Sequence, residues 1–124
     1  MLNIGVIGSG GIAQACLMPG FEKLSDKCRI VAIADINPDN AKKAAERFHV
    51  KDVYSDYQQL INRDDIHAVC VATPNAFHKQ PTIDALNAGK HVFVEKPMAM
   101  NAQECREMII AGNKTEKIIQ VGLH

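Results

Sequence analysis

Hydrophobic positions along the chain come in two kinds of segment. Some are short runs in which almost every residue is apolar, and others are longer stretches in which apolar residues recur every three or four positions. Leu2 to Ile7 (LNIGVI), Arg29 to Ala34 (RIVAIA), Ile66 to Ala72 (IHAVCVA), His91 to Val94 (HVFV) and Lys117 to Val121 (KIIQV) are of the first kind and predict buried strands, with a further short strand near Val53. Helical stretches lie between them. After Gly8 to Ala13 the chain places Ile12, Ala15 and Cys16 on one face, and Pro19-Gly20 is expected to break or kink that helix. Asn37 can cap the next helix and Pro38 suits its first turn, while Ala41, Ala44, Ala45 and Phe48 follow the i, i+3, i+4, i+7 pattern.

A helical turn is expected over Tyr57 to Ile61. Pro81 and Gly89 frame another helix, with Ile83 and Leu86 turned inward. Asn101 and Glu104 resemble a capping box for the last helix, which carries Cys105, Met108 and Ile109 on one face. Strands that are apolar on both faces and alternate with amphipathic helices predict a parallel sheet covered on both sides. The fold class is therefore α/β, a doubly wound parallel sheet of the Rossmann type with strand order 3-2-1-4-5-6, in one domain over residues 1–124.

Composition narrows the partners. Fourteen basic residues balance fourteen acidic ones with no long like-charge block, which argues against nucleic acid or an anionic membrane surface. The N-terminus lacks a basic region and a long apolar run, and no stretch approaches the ~18 apolar residues of a membrane span, so a cytoplasmic protein is expected. Cys16, Cys28, Cys70 and Cys105 are too widely spaced for zinc or redox motifs and read as reduced, small hydrophobes. His49, His67 and His91 read as surface or strand residues, and no metal site is expected.

In a parallel sheet all strands end on one edge, where ligands bind at the switch in strand order. The unusual residues collect there. GSGGIA after the first strand fits G-x-G-x-x-A: Gly8 suits the tight turn, Gly10 permits close approach of a pyrophosphate, and Ala13 lets the helix pack on the strand. Gly8, Ser9, Gly10, Gly11 and Ile12 are candidate cofactor contacts at a helix N-terminus with free N–H groups. Asp35, twenty-two residues beyond Ala13, ends the second strand and can accept from both hydroxyls of an adenosine ribose, or can serve as a turn residue. A 2′-phosphate would meet its charge, which favours NAD, with NADP as the alternative. Thr73-Pro74-Asn75 ends the fourth strand, and Asn75 and His78 suit an ordinary turn and helix entry as well as a ligand role. Glu95-Lys96-Pro97 ends the fifth. Pro97 biases Lys96 toward an extended backbone, on the side of the switch point where a nicotinamide would sit.

Together GVIGSGGIA, VAIAD, VCVATPNAFH, AGKHVFVEKPMA and QVGLH resemble the nucleotide-binding half of the glucose-fructose oxidoreductase and inositol dehydrogenase (Gfo/Idh/MocA) family across the whole chain. The pairing of TPN with EKP carries that resemblance more specifically than the glycine loop does. It implies an NAD(P)-dependent dehydrogenase acting on a small-molecule sugar, polyol or related substrate. Lys96 would be the catalytic or substrate-orienting lysine, Glu95 would contact the nicotinamide ribose, and Thr73, Asn75 and His78 would lie beside the cofactor. It also implies a C-terminal domain beyond residue 124, holding substrate, a catalytic Asp or His and the contacts of a homo-oligomer. A free-standing, non-catalytic NAD-binding or sensing module is the alternative, and it would have no need of Lys96.

Overall fold

The computed structural model describes residues 1–10, 18–74, 77–95 and 99–122. Strands β1 (Leu2–Ile7), β2 (Cys28–Ala34), β3 (Asp52–Tyr54), β4 (Ala68–Val71), β5 (His91–Val94) and β6 (Ile119–Val121) form one sheet in the order β3-β2-β1-β4-β5-β6, every pair parallel. Between them run helices α1 (Met18–Glu22), α2 (Pro38–Phe48), α3 (Tyr57–Ile61), α4 (Lys79–Asn87) and α5 (Ala102–Thr115). The expected class and strand order are those observed.

Side chains alternate between the two faces of the sheet, as the pleat requires. Val69, Val71, Val92 and Val94 join Leu60 and Ile61 of α3, Leu86 of α4 and Met108 of α5 in one core. Val6, Ile33 and Cys70 point the other way and meet Met18 of α1 and Ala41 and Ala44 of α2. Apolar demand from both faces is why the central strands read as continuous hydrophobic runs.

The caps account for several helix boundaries. The Asn37 side chain accepts from the N–H groups of Asp39 (3.0 Å) and Asn40 (3.2 Å), with Pro38 at the first helical position. Asn101 accepts from Glu104 N–H at 2.9 Å, while the Glu104 carboxylate reaches back to Met100 N–H, one residue earlier than a standard capping box. His49 closes α2 in the left-handed region at φ 58 and is a helix cap.

Three expectations need correction. Pro19 and Gly20 do not break the helix: both lie within α1, where the Lys23 N–H still reaches the Pro19 carbonyl at 3.2 Å, because proline removes its own donor and keeps its acceptor, while the turn before Pro19, where a kink would form, lies outside the described residues. Pro81 is the third residue of α4, a position whose N–H has no intrahelical partner to lose. In α5 the inward face carries Met108, Ala111 and Gly112, leaving Ile109 50% exposed. The helical face expected at Ile12, Ala15 and Cys16 lies outside the described residues.

Candidate functional site

The sheet holds its C-terminal edge at a fixed height by carrying the ladder one residue past the strands. Gly8 N–H donates to Ala34 O (2.8 Å), Ala72 N–H to Ile7 O (2.8 Å), Asp35 N–H to Tyr54 O (3.0 Å) and Glu95 N–H to Val71 O (3.0 Å). The loops that follow therefore leave from anchored points. Between β1 and β4, where the strand order reverses, they enclose a cavity of about 880 Å³ lined by Gly8, Gly10, Asp35, Thr73 and neighbours from α2 and α4.

The two loop glycines are there for different reasons. Gly8 has φ +88, and a Cβ on it would stand 2.7 Å from both Ala72 C and Thr73 N. It is required by the approach of one strand end to another. Gly10 has no such backbone demand, and among the described residues the nearest atom to its Cβ position is Asn40 Nδ2, at 3.9 Å. Packing within the described protein does not forbid a side chain there, so the described residues leave room above Gly10.

Asp35 ties the loop to β2. Its Oδ2 accepts from the N–H and the hydroxyl of buried Ser9, each at 2.9 Å, and its Oδ1 accepts from Asn37 N–H at 2.9 Å. A carboxylate offers about four acceptor positions, so three internal donors leave capacity for one more, on the Oδ1 side. The bidentate ribose grip expected from sequence is thus partly taken up by the protein itself.

The second wall is the segment after β4. Thr73 Oγ1 donates to Phe77 O (3.0 Å), the His78 ring nitrogen Nε2 pairs with Thr73 O (2.7 Å), and Thr82 Oγ1 donates to His78 O (2.7 Å). His78 is 1% exposed and lies beneath this segment, outside the lining of the cavity. Glu95 is also buried, at 4% exposure, close to Gly122, and off the described lining. Burial, reinforced by the Glu95 carboxylate, pushes the Cys70 thiol far up, so that cysteine is an inert core residue.

On the third side the Tyr57 hydroxyl donates to the Asp84 carboxylate at 2.5 Å, linking α3 to α4 beside the cavity. Burial first, then that hydrogen bond and the charge of Asp84, hold its phenol well above the ordinary range. Lys79 also lines the cavity but pairs with Glu107 at 2.8 Å. Gly8, Gly10, Asp35 and Thr73 are thus brought together, with Ser9 directly beneath. Gly11, Ile12, Asn75 and Lys96 lie outside the described residues.

Several lining residues went unnoticed in the sequence. Ile36 is 91% exposed and Phe77 64% exposed, yet both border the cavity, as does Asn40. Their signal was faint: each apolar residue directly follows or precedes a candidate site residue and fits no helix or strand periodicity. Among the described residues no cluster of three or more His, Cys, Asp or Glu could hold a metal ion, and no helix is long and apolar enough to cross a membrane.

Comparison with known proteins agrees with this geometry. Residues 2–123 match the Gfo/Idh/MocA family, described as an oxidoreductase family with an NAD-binding Rossmann fold. An inositol 2-dehydrogenase of Klebsiella pneumoniae is 38% identical over 123 residues, covering 98% of this chain and 36% of that protein. The crystal structure of a WlbA dehydrogenase from Chromobacterium violaceum, in complex with NADH and UDP-GlcNAcA, superposes with a TM-score of 0.92 at 29% identity, over 98% of this chain and 34% of that one. KijD10, a 3-ketoreductase from Actinomadura kijaniata in complex with NADP and TDP-benzene, superposes with a TM-score of 0.89 at 31% identity, over 98% and 37%. The chain spans about a third of the length of such relatives. A parallel sheet in this order, a glycine loop left open beside an acidic strand end, and a family match over nearly every residue together establish that the chain belongs to the Gfo/Idh/MocA oxidoreductase family and carries its NAD-binding Rossmann fold.

Proposed function

We propose that this chain is the nucleotide-binding domain of an NAD-dependent dehydrogenase acting on a sugar, polyol or related small molecule. The observation that carries the reading is the space above Gly10, which the described protein leaves open where a pyrophosphate needs close approach to the backbone. Gly8, Gly10 and Thr73 line the diphosphate side, and Asp35 receives the adenosine ribose through its remaining acceptor capacity. Ser9 holds Asp35 in place. Gly11, Ile12, Asn75 and Glu95 complete the cofactor contacts by family resemblance, and His78 supports Thr73 from beneath. Bound NAD supplies a hydride acceptor. The negative charge of Asp35 disfavours a 2′-phosphate, so NAD is preferred to NADP.

Lys96 is the residue proposed for chemistry. Oxidising an alcohol requires loss of its hydroxyl proton, and a lysine near that oxygen can orient it, help move the proton and stabilise developing negative charge. Relatives about three times as long support a whole protein in which a further domain holds the substrate; homo-oligomer contacts through that domain and a cytoplasmic location belong to the same proposal. In that setting Lys96→Met should lower kcat by roughly 10² to 10⁴ and leave NAD affinity nearly unchanged. Steady-state kinetics and NADH titration of the full-length protein test this directly. A variant with near-normal kcat that lost only cofactor affinity would make Lys96 a binding residue and contradict the catalytic assignment.

A further inference from the structure

Asn40 sits in the first turn of α2, half-buried, and faces the glycine loop across the cavity. Its Nδ2 is the only atom among the described residues within 4 Å of the position a Cβ on Gly10 would take, at 3.9 Å. Its backbone N–H is already satisfied by the Asn37 side chain at 3.2 Å, as is that of Asp39 at 3.0 Å, so this end of α2 is closed by its own cap. The side-chain carboxamide, by contrast, has no hydrogen-bond partner among the described residues. A donor without a partner among the described residues thus borders the space above Gly10, where the loop presents no side chain of its own.

We infer that Asn40 is a further cofactor-binding residue, its carboxamide N–H donating to an oxygen of the dinucleotide diphosphate held over Gly10. The inference rests on the NAD-binding reading above and adds a contact that the glycine-loop pattern does not contain. The glycine loop offers a diphosphate in that space backbone N–H donors from one side. Asn40 supplies one from the opposite wall, without the positive charge that would also attract a 2′-phosphate. Asp35, on the same wall, is the complementary element: it accepts, whereas Asn40 donates. The two side chains divide the adenosine half of the ligand between hydroxyl donors and phosphate acceptors.

The test compares Asn40→Ala and Asn40→Asp with the unmodified chain by NADH calorimetry and thermal denaturation. Losing one hydrogen bond to a charged acceptor should weaken NADH binding by about 10- to 100-fold in Asn40→Ala. Asn40→Asp is close to isosteric but replaces the donor with a negative charge, so it should bind at least several-fold more weakly still. Both variants should melt near the unmodified protein, because the side chain makes no internal bond and an acidic residue is favourable in the first turn of a helix. If both variants bind NADH like the unmodified chain, the inference is overturned while the site reading stands. If Asn40→Asp binds as well as or better than Asn40→Ala, the side chain meets a ribose hydroxyl, and the phosphate assignment is wrong. If the unmodified chain itself fails to bind NADH, the site reading fails and takes this inference with it.

Discussion

Replacing each loop glycine with alanine separates what the fold needs from what the ligand needs. At Gly8 the backbone lies at φ +88, which costs an L-residue about 1 to 2 kcal/mol. The added methyl would also stand 2.7 Å from Ala72 C and Thr73 N and 2.8 Å from Ala72 O. These are main-chain atoms that cannot swing aside, since Ala72 N–H is bonded to Ile7 O and Gly8 N–H to Ala34 O, both at 2.8 Å. Overpacking of this kind adds about 1 to 3 kcal/mol, for a total of about 3 kcal/mol. In a domain of this size that lowers the Tm by roughly 10 °C. Gly10→Ala meets nothing described closer than 3.9 Å and no positive φ, so its Tm should stay within about 2 °C or rise slightly through a less flexible unfolded chain. Its NADH affinity should nevertheless fall at least tenfold, because the methyl occupies the space assigned to the diphosphate. Thermal denaturation and NADH calorimetry on the two variants suffice. A Gly8→Ala protein that melts normally would refute the strand-end contact, and a Gly10→Ala protein with unchanged NADH affinity would refute the claim that the open space belongs to the ligand.

Asp35→Ala should weaken NADH binding several-fold and also lower the Tm, since it removes the acceptor of the Ser9 N–H and hydroxyl; Asp35→Asn keeps one acceptor oxygen for Ser9 but loses the bond from Asn37 N–H, so it should melt between the alanine variant and the unmodified protein and narrow the gap between NADH and NADPH affinities, measured side by side by calorimetry. Asn101→Ala should cost about 1 kcal/mol by removing the acceptor of Glu104 N–H, read as a Tm lower by a few degrees. The raised Tyr57 phenol means that the folded state binds this proton more tightly than the unfolded chain does. Its contribution is complete below the ordinary phenol pKa near ~10 and is lost as pH rises beyond it, so urea denaturation of Tyr57→Phe should show a smaller alkaline loss of stability than the unmodified protein shows.

The strands and their order were legible because burial on both faces forces uninterrupted apolar runs, and the α2 cap was legible because Asn37-Pro38 acts locally. Gly8, Asp35 and Thr73 could be placed for a related reason: a parallel sheet sends every strand end to one edge. What escaped depends on contacts distant in sequence. Ile109 and Ile110 are adjacent apolar residues that cannot both face the core, and the space beside β6 selects Met108, Ala111 and Gly112 instead, with Ile119 against Gly112. Lys90 is buried and donates to Arg63 O at 2.6 Å, a partner twenty-seven residues away that no local pattern announces. His78 fitted both a helix entry and a ligand role in the sequence, and its ring nitrogen Nε2 pairs with the Thr73 carbonyl at 2.7 Å. Ile36 and Phe77 were missed for the opposite reason: apolar side chains are ordinarily assigned to the core, and here they border an open cavity.

The proposed dinucleotide lies across the C-terminal edge of the sheet, at the β1–β4 switch point. Titrating isotopically labelled chain with NADH and following backbone amide shifts tests it residue by residue. The account predicts saturable shifts at Gly8, Ser9, Gly10, Asp35, Ile36 and Thr73. The amides of Asn3, Asp65 and His67, which form a hydrogen-bonded group at the opposite edge, should stay in place. Shifts confined to that opposite edge, or no saturable shift at the glycine loop, would contradict it.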